Sequence, residues 1–263
     1  MSHVGNRRKT ALVTGASSGI GFALARVFAH EGYNIVLVAR ESEKLFARAE
    51  EINTTCGVTV TVVPADLQLP TSAIEIYREL DYHGIPVDVL VNNAGFGVHG
   101  YFAETDWQEE LAMISVNCVT LTRLTKLFLR NMLSRGEGKI LNVASLAAFE
   151  PGPLMAVYNA TKAYVLSFSV ALREELRGSG VSVTALCPGP TRTNFAARAN
   201  AKHTLMFKGQ LADATAVARA GYNGLMRNKP VVVPGSWNKL SAALVRLLPR
   251  RFVVKAARYL SEG

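Results

Sequence analysis

Along the chain, short runs of β-branched and aliphatic residues alternate with longer stretches in which apolar side chains return every three or four positions. The runs fall at 11–14, 34–38, 58–63, 87–91, 139–143, 181–186 and 231–233. They are apolar at odd and even positions alike, as strands buried on both faces of a parallel sheet are. Helical periodicity occupies 20–30, 42–51, 72–82, 107–133 and 156–177. This alternation predicts an α/β fold: a doubly wound parallel sheet of about seven strands with helices on both faces, in one domain spanning 1–263. Ligands of such sheets bind just beyond the carboxyl ends of the strands, so the residues that follow each run are where chemistry is sought.

Two stretches depart from the pattern. Between 188 and 229 the periodicity loosens, and the segment reads either as a substrate-covering excursion or as a plain surface one. From 239 to 259 lies a basic amphipathic segment with Lys239, Arg246, Arg250, Arg251, Lys255 and Arg258, broken by Pro249. It is expected to pack as a helix on the domain or on a neighbouring subunit, with weak or absent membrane contact.

Hydrophobic residues make up 49% of the chain and charged residues 19%, enough apolar surface to fold alone and too much for disorder. No unbroken apolar run approaches the roughly 20 residues that cross a bilayer, and the start carries no signal-peptide pattern. No membrane-spanning helix is therefore expected, and a cytoplasmic location is. The net charge of +9 is spread along the chain without interleaved aromatics, which argues against nucleic acid as a partner. Cys56, Cys118 and Cys187 stand singly, so they read as reduced thiols, and no metal site is expected.

After the first run comes a glycine-rich turn, Gly15, Ala16, Ser17, Ser18, Gly19, Ile20 and Gly21, that opens directly into a helix. Glycines let the backbone approach a pyrophosphate, and the helix amino end offers unpaired N–H groups with partial positive charge. A strand before and a helix after make this a Rossmann-type dinucleotide turn rather than a bare tight turn. Its spacing, three residues between the first two glycines and one before the third, resembles that of the classical short-chain dehydrogenase/reductase (SDR) family. At the end of the second run Arg40 stands where an acidic residue would bind a ribose 2′-hydroxyl. A guanidinium there pairs with a 2′-phosphate instead, which favours NADP(H), although Glu41 is adjacent.

Tyr158 and Lys162 are four apart in a predicted helix and so share one face. The ammonium and an oxidised nicotinamide would both draw the phenol, which normally titrates near ~10, toward the working range. Ser145, at the end of the fifth run, is placed to donate to a carbonyl oxygen gaining charge. Taken in that order, the three residues point to proton transfer by Tyr158 coupled to hydride transfer, interconverting a carbonyl compound and an alcohol.

The family resemblance implies more. Asn117 would position Lys162 through water; Asn93, Ala94 and Gly95 would flank the adenosine ribose, and Asp66 and Leu67 the adenine. Pro188, Gly189, Thr191 and Thr193 would grip the carboxamide, with Thr191 where valine or isoleucine is usual. Lys162 would also hold the nicotinamide ribose. The family commonly associates as homodimers or homotetramers through the long helices. Phe96, Phe149, Met155 and Phe195 are candidates to line an apolar substrate pocket. The rival reading is a non-catalytic NADP-binding regulator or redox sensor on the same fold.

Overall fold

A computed structural model describes residues 7–262; residues 1–6 of the basic start lie outside the described residues. Seven parallel strands form one sheet in the order β3-β2-β1-β4-β5-β6-β7. They are β1 Thr10–Thr14, β2 Asn34–Ala39, β3 Val60–Pro64, β4 Val89–Asn92, β5 Gly138–Val143, β6 Val181–Leu186 and β7 Val231–Val232. β1 and β4 are buried along their whole length, as their unbroken apolar runs require. The third and fourth runs begin two residues before their strands. Val58 and Val87 are nevertheless 3% exposed, so burial rather than strand pairing explains their apolar character.

Helices α1 Gly19–His30 and α2 Ser42–Cys56 cover one face of the sheet. α3 Ser72–Tyr82, α5 Leu121–Arg135 and α6 Ala156–Glu175 cover the other. α4 Trp107–Ile114 runs into α5 through a π-helical turn, Ser115–Thr120, giving one continuous helix of 29 residues. Contrary to expectation, that helix is long and apolar enough to cross a membrane by length and composition, one 18-residue stretch of it having a mean hydropathy of 1.2. Single polar residues divide it into short runs, which hid the average. In the fold it is a core helix, with Met113, Leu124, Phe128 and Met132 buried against the sheet.

The segment 188–229 is not one excursion. α7 Phe195–Arg198 and α8 Leu205–Lys208 are single turns, whereas α9 Ala214–Met226 is a helix packed between α1 and the sheet. Asp213 caps α9 by accepting from the Ala216 N–H at 2.9 Å. Its two glycines gave it the look of a loop, but they serve close packing. A Cβ at Gly221 would lie 2.8 Å from Leu186 Cδ2, and one at Gly224 would overlap Val232. Beyond β7, α10 Ser236–Leu247 packs against the 3₁₀ turn after β5 and α11 Arg250–Ser261 packs against α8, with Pro249 between the two helices. Proline lacks the N–H to continue α10 and is pre-set to start α11.

Candidate active site

Strand order reverses between β1 and β4, and the crevice this opens at their carboxyl ends is lined by the residues that follow the strands. The two ends are locked together. Thr14 Oγ1 accepts from the Asn93 and Ala94 N–H groups, each at 3.0 Å, and Asn93 Nδ2 donates to Thr14 O at 2.9 Å. The result is a cleft of about 650 Å³ with two differently built halves.

The first half is a backbone cradle. Gly15 and Gly19 have φ of +66° and +57°, which only glycine adopts without strain. A Cβ on Gly21 would overlap Gly15 O and Asn93 Nδ2, so its absence lets α1 start against β1 and β4. Ser18, the residue before α1, makes no side-chain cap, and the first-turn N–H groups of α1 are left for a ligand beside the cleft wall of Gly19, Ile20 and Gly21. Ser17, Asp66, Leu67 and Gly95 line the same half. So do Pro188, Gly189, Thr191 and Thr193. This is a fit for a dinucleotide.

At the end of β2, Arg40 is exposed beside the cleft and makes no ion pair among the described residues. Glu41 stands at the N-cap position of α2 without a side-chain cap bond and pairs with Lys44 in an exposed salt bridge. Of the two neighbours, the cation is therefore the one free for a ligand.

The second half gathers Ser145, Tyr158 and Lys162. Ser145 opens a 3₁₀ turn, Leu146–Phe149, and its Oγ accepts from the Ala147 N–H at 3.1 Å, leaving its proton free to donate. Tyr158 and Lys162 lie one turn apart on α6, 8% and 5% exposed. Lys162 Nζ donates to Val143 O at 2.9 Å and lies 5.8 Å from the centroid of the Tyr158 ring. Burial pushes the Lys162 ammonium down to about 8. Burial also pushes the Tyr158 phenol up to about 12, opposed by the neighbouring Ser145 hydroxyl. In the chain without cofactor, burial thus outweighs the expected downward draw of the ammonium; the draw of an oxidised nicotinamide comes on top of it. Lys162 spends its nearest contact on a backbone carbonyl, so desolvation wins over charge. The thiols flanking Lys162 stay protonated, Cys118 pushed up to about 11 and Cys187 to about 12 by burial.

Around Tyr158 the wall is apolar. Its ring lies 5.2 Å from that of Phe195, which in turn is 6.2 Å from Phe207. A Cβ on Gly97 would sit 3.0 Å from both Met155 and Phe195, so the loop after β4 closes tightly on this wall. Phe96 also lines it, with the Arg198 guanidinium 4.6 Å over its ring.

One expectation fails here. Phe149 is directed away from the cleft, into the small cluster around Val165 and Cys187, with Arg246 5.4 Å over its ring. The 3₁₀ turn rotates it out, whereas Leu146 and Ala147 face in. Asn117 sits in the π turn, where its side chain donates to Phe96 O and Thr161 Oγ1 at 3.0 Å and accepts from the Phe96 N–H at 3.2 Å. Its amide clamps the loop after β4, and its Oδ1 and Lys162 Nζ lie 2.9 Å and 3.3 Å from the point a Gly95 Cβ would fill, close enough for a link through water. Sequence reasoning also missed Arg198, Trp237 and Leu260 as lining residues. The apolar trio Leu205, Met206 and Phe207 inside a polar stretch was a readable signal for the far wall; nothing in the sequence pointed to Trp237 or Leu260.

Residues 9–204 match the family model described as short chain dehydrogenase. The chain belongs to that family. This short-chain dehydrogenase is thus an oxidoreductase of small-molecule substrates that binds a nicotinamide cofactor. It is 31% identical to a ketoacyl reductase, HetN, of Nostoc sp. (strain PCC 7120) over 243 residues, 91% of this chain and 83% of the relative. It is 37% identical to 17-beta-hydroxysteroid dehydrogenase type 3 of Mus musculus over 199 residues, 74% of this chain but only 64% of that longer protein. Its fold superposes on a short-chain dehydrogenase from Sphingobium yanoikuyae in complex with NADPH with a TM-score of 0.81. That pair is 33% identical and covers 91% of this short-chain dehydrogenase and 94% of the other chain.

Proposed function

We propose that this protein is an NADPH-dependent reductase of bulky, apolar carbonyl compounds, with Tyr158 as the proton donor. The observation that carries the reading is the meeting of Ser145, Tyr158 and Lys162 where a dinucleotide cradle adjoins an apolar wall. Arg40 is the group for the 2′-phosphate, Glu41 being held by Lys44. The relative crystallised with NADPH supports that preference, and the ketoacyl and hydroxysteroid relatives support a large apolar substrate.

A reduced nicotinamide bound in the cradle supplies the hydride for the carbonyl carbon. Ser145 donates a hydrogen bond to the carbonyl oxygen, polarising it and steadying the charge it gains. As the carbonyl π pair moves onto that oxygen, Tyr158 transfers its phenolic proton to it and is left as the phenolate. A phenol held up to about 12 keeps its proton throughout the neutral range, so the resting state is set for reduction. Lys162 stabilises the phenolate by its charge and holds the nicotinamide ribose, and Tyr158 regains a proton from solvent. The segment 191–210, with Phe195 and Phe207, covers the substrate; α9 belongs to the core. The protein acts as a homo-oligomer.

Tyr158→Phe should bind NADPH normally, read by quenching of intrinsic fluorescence, while losing about 10²- to 10⁴-fold in turnover of aromatic ketones and keto-acyl esters. Near-normal turnover in that variant defeats the assignment. NADPH binding without turnover of any compound in the panel would instead support a redox sensor.

A further inference from the structure

Helices α10 and α11 follow one another after β7, and the domain covers each on one side only. Trp237, Leu240, Leu244 and Leu247 follow one another at spacings of three, four and three, which sets them on one face of α10. All four are exposed, Trp237 at 76% and Leu247 at 81%. On either side of Pro249, Leu248 and Phe252 are exposed as well. The faces turned to the domain are different ones: Ala242 on α10, and Val253, Ala257 and Ser261 on α11, which packs against α8. Burial on the domain therefore does not account for the outward stripe.

The charge of the helix pair is one-sided. Residues 236–262 hold six basic side chains and one acid, Glu262, which is taken by Arg258. Lys239, Arg250, Arg251 and Lys255 have no acidic partner among the described residues. An isologous contact with a second copy would set these cations against their own duplicates, which like-charge repulsion disfavours. The pair also borders the cleft. Trp237 of α10 and Leu260 of α11 are at once exposed and part of the cleft lining, beside Phe207 and Met206.

The geometry points to an anionic lipid bilayer as the partner of these two helices. Lys239, Arg250, Arg251 and Lys255 meet the phosphates, while Leu247 and Phe252 enter the boundary between headgroups and acyl chains. The mouth of the cleft then opens at the lipid surface, and an apolar carbonyl compound passes from the bilayer to Tyr158 with little exposure to water. That route rests on the reductase reading; the docking does not. It replaces the expected weak or absent membrane contact, because the apolar face thought to pack on the domain points outward.

The test is flotation of the full chain at low salt with vesicles of phosphatidylcholine alone or with added phosphatidylglycerol, without substrate. The wild type should float with the anionic vesicles and be released by salt. Arg250→Glu/Arg251→Glu should weaken partitioning by at least about 30-fold, about fivefold or more for each charge lost. Leu247→Glu/Phe252→Glu should abolish it, with NADPH binding and the melting temperature of both variants unchanged as proof of folding. Absence of wild-type flotation at low salt overturns the proposal, as does equal flotation with neutral vesicles. If sedimentation without vesicles shows that either double variant dissociates a wild-type oligomer, a second copy is the occupant and the proposal falls. A protein that floats yet reduces nothing removes only the reductase reading.

Discussion

Arg40 and Glu41 stand side by side at the end of β2, and which of them meets the adenosine ribose decides the cofactor. The Glu41 carboxylate is neutralised by Lys44, while Arg40 is free. A charge-assisted contact contributes about 1.5–3 kcal/mol, so Arg40→Ala should raise the KM for NADPH by about ten- to a hundredfold. The KM for NADH should hardly move; parallel losses for both cofactors would show that Arg40 supports the fold rather than the phosphate. Lys162 carries a different signature. Its ammonium is pushed down to about 8 in the folded chain, while an unfolded lysine stays charged to about 10.4. Between those values the unfolded chain binds the extra proton, so this residue makes stability rise with pH. Tyr158 acts in the opposite sense, but only above about 10, where an unfolded tyrosine loses its proton and the buried phenol does not. Measured without cofactor, the wild type should gain melting temperature relative to Lys162→Met from pH 8 to pH 10. Parallel curves would mean that Lys162 is solvated in the fold.

At the scale of elements, the central strands were readable because burial on both faces leaves an unmistakable apolar run, the edge strands β3 and β7 by their β-branched residues, and five of the helical stretches by the regular stripe that burial on one face leaves. α9 was not readable, since its fit against β6 and β7 demands Gly221 and Gly224, and glycine pairs in a sequence look like a turn. The spanning potential of α4–α5 was hidden for the converse reason: an average over 18 residues is not visible in any short run. Among site residues, those tied to backbone geometry fell where expected. Gly15, Gly19 and Gly21 are each fixed by a contact or a positive φ, and Ser145 and Tyr158 by their strand and helix. Phe149 was misread because a 3₁₀ turn changes which side chains face inward, and a turn of four residues has no periodicity to reveal it. Asn117 was found, but its partners depend on the π turn, which brings its amide onto the backbone of Phe96. Trp237 and Leu260 reach the cleft because α10 packs on the 3₁₀ turn after β5 and α11 on α8, a tertiary event with no local mark.

In the whole molecule, the helix that carries Tyr158 and Lys162 inward presents Tyr164 and Val170 outward, both exposed. Beside them the long helix presents Trp107, Leu111 and Val119. Thr122 of α5 and the Tyr164 hydroxyl share a hydrogen bond of 2.8 Å across the two helices, and Tyr164 stacks on Phe168. This gives a firm surface of apolar and aromatic groups rather than scattered side chains, as an interface between copies requires. The surface is distinct from the cationic helix pair, so association and membrane docking do not compete for the same residues. A twofold interface repeats each side chain, so one glutamate introduced at its centre is desolvated twice, at a cost of several kcal/mol for each charge. Val170→Glu should therefore turn an oligomer into a monomer in sedimentation velocity while leaving the isolated fold intact, since Val170 faces solvent in the single chain. The monomer should melt earlier and turn over more slowly, because α6 loses the outer support that steadies Tyr158 and Lys162. A wild type that sediments as a monomer at every accessible concentration would refute this use of the surface, and unchanged turnover in a monomeric variant would show that α6 is braced by the domain alone.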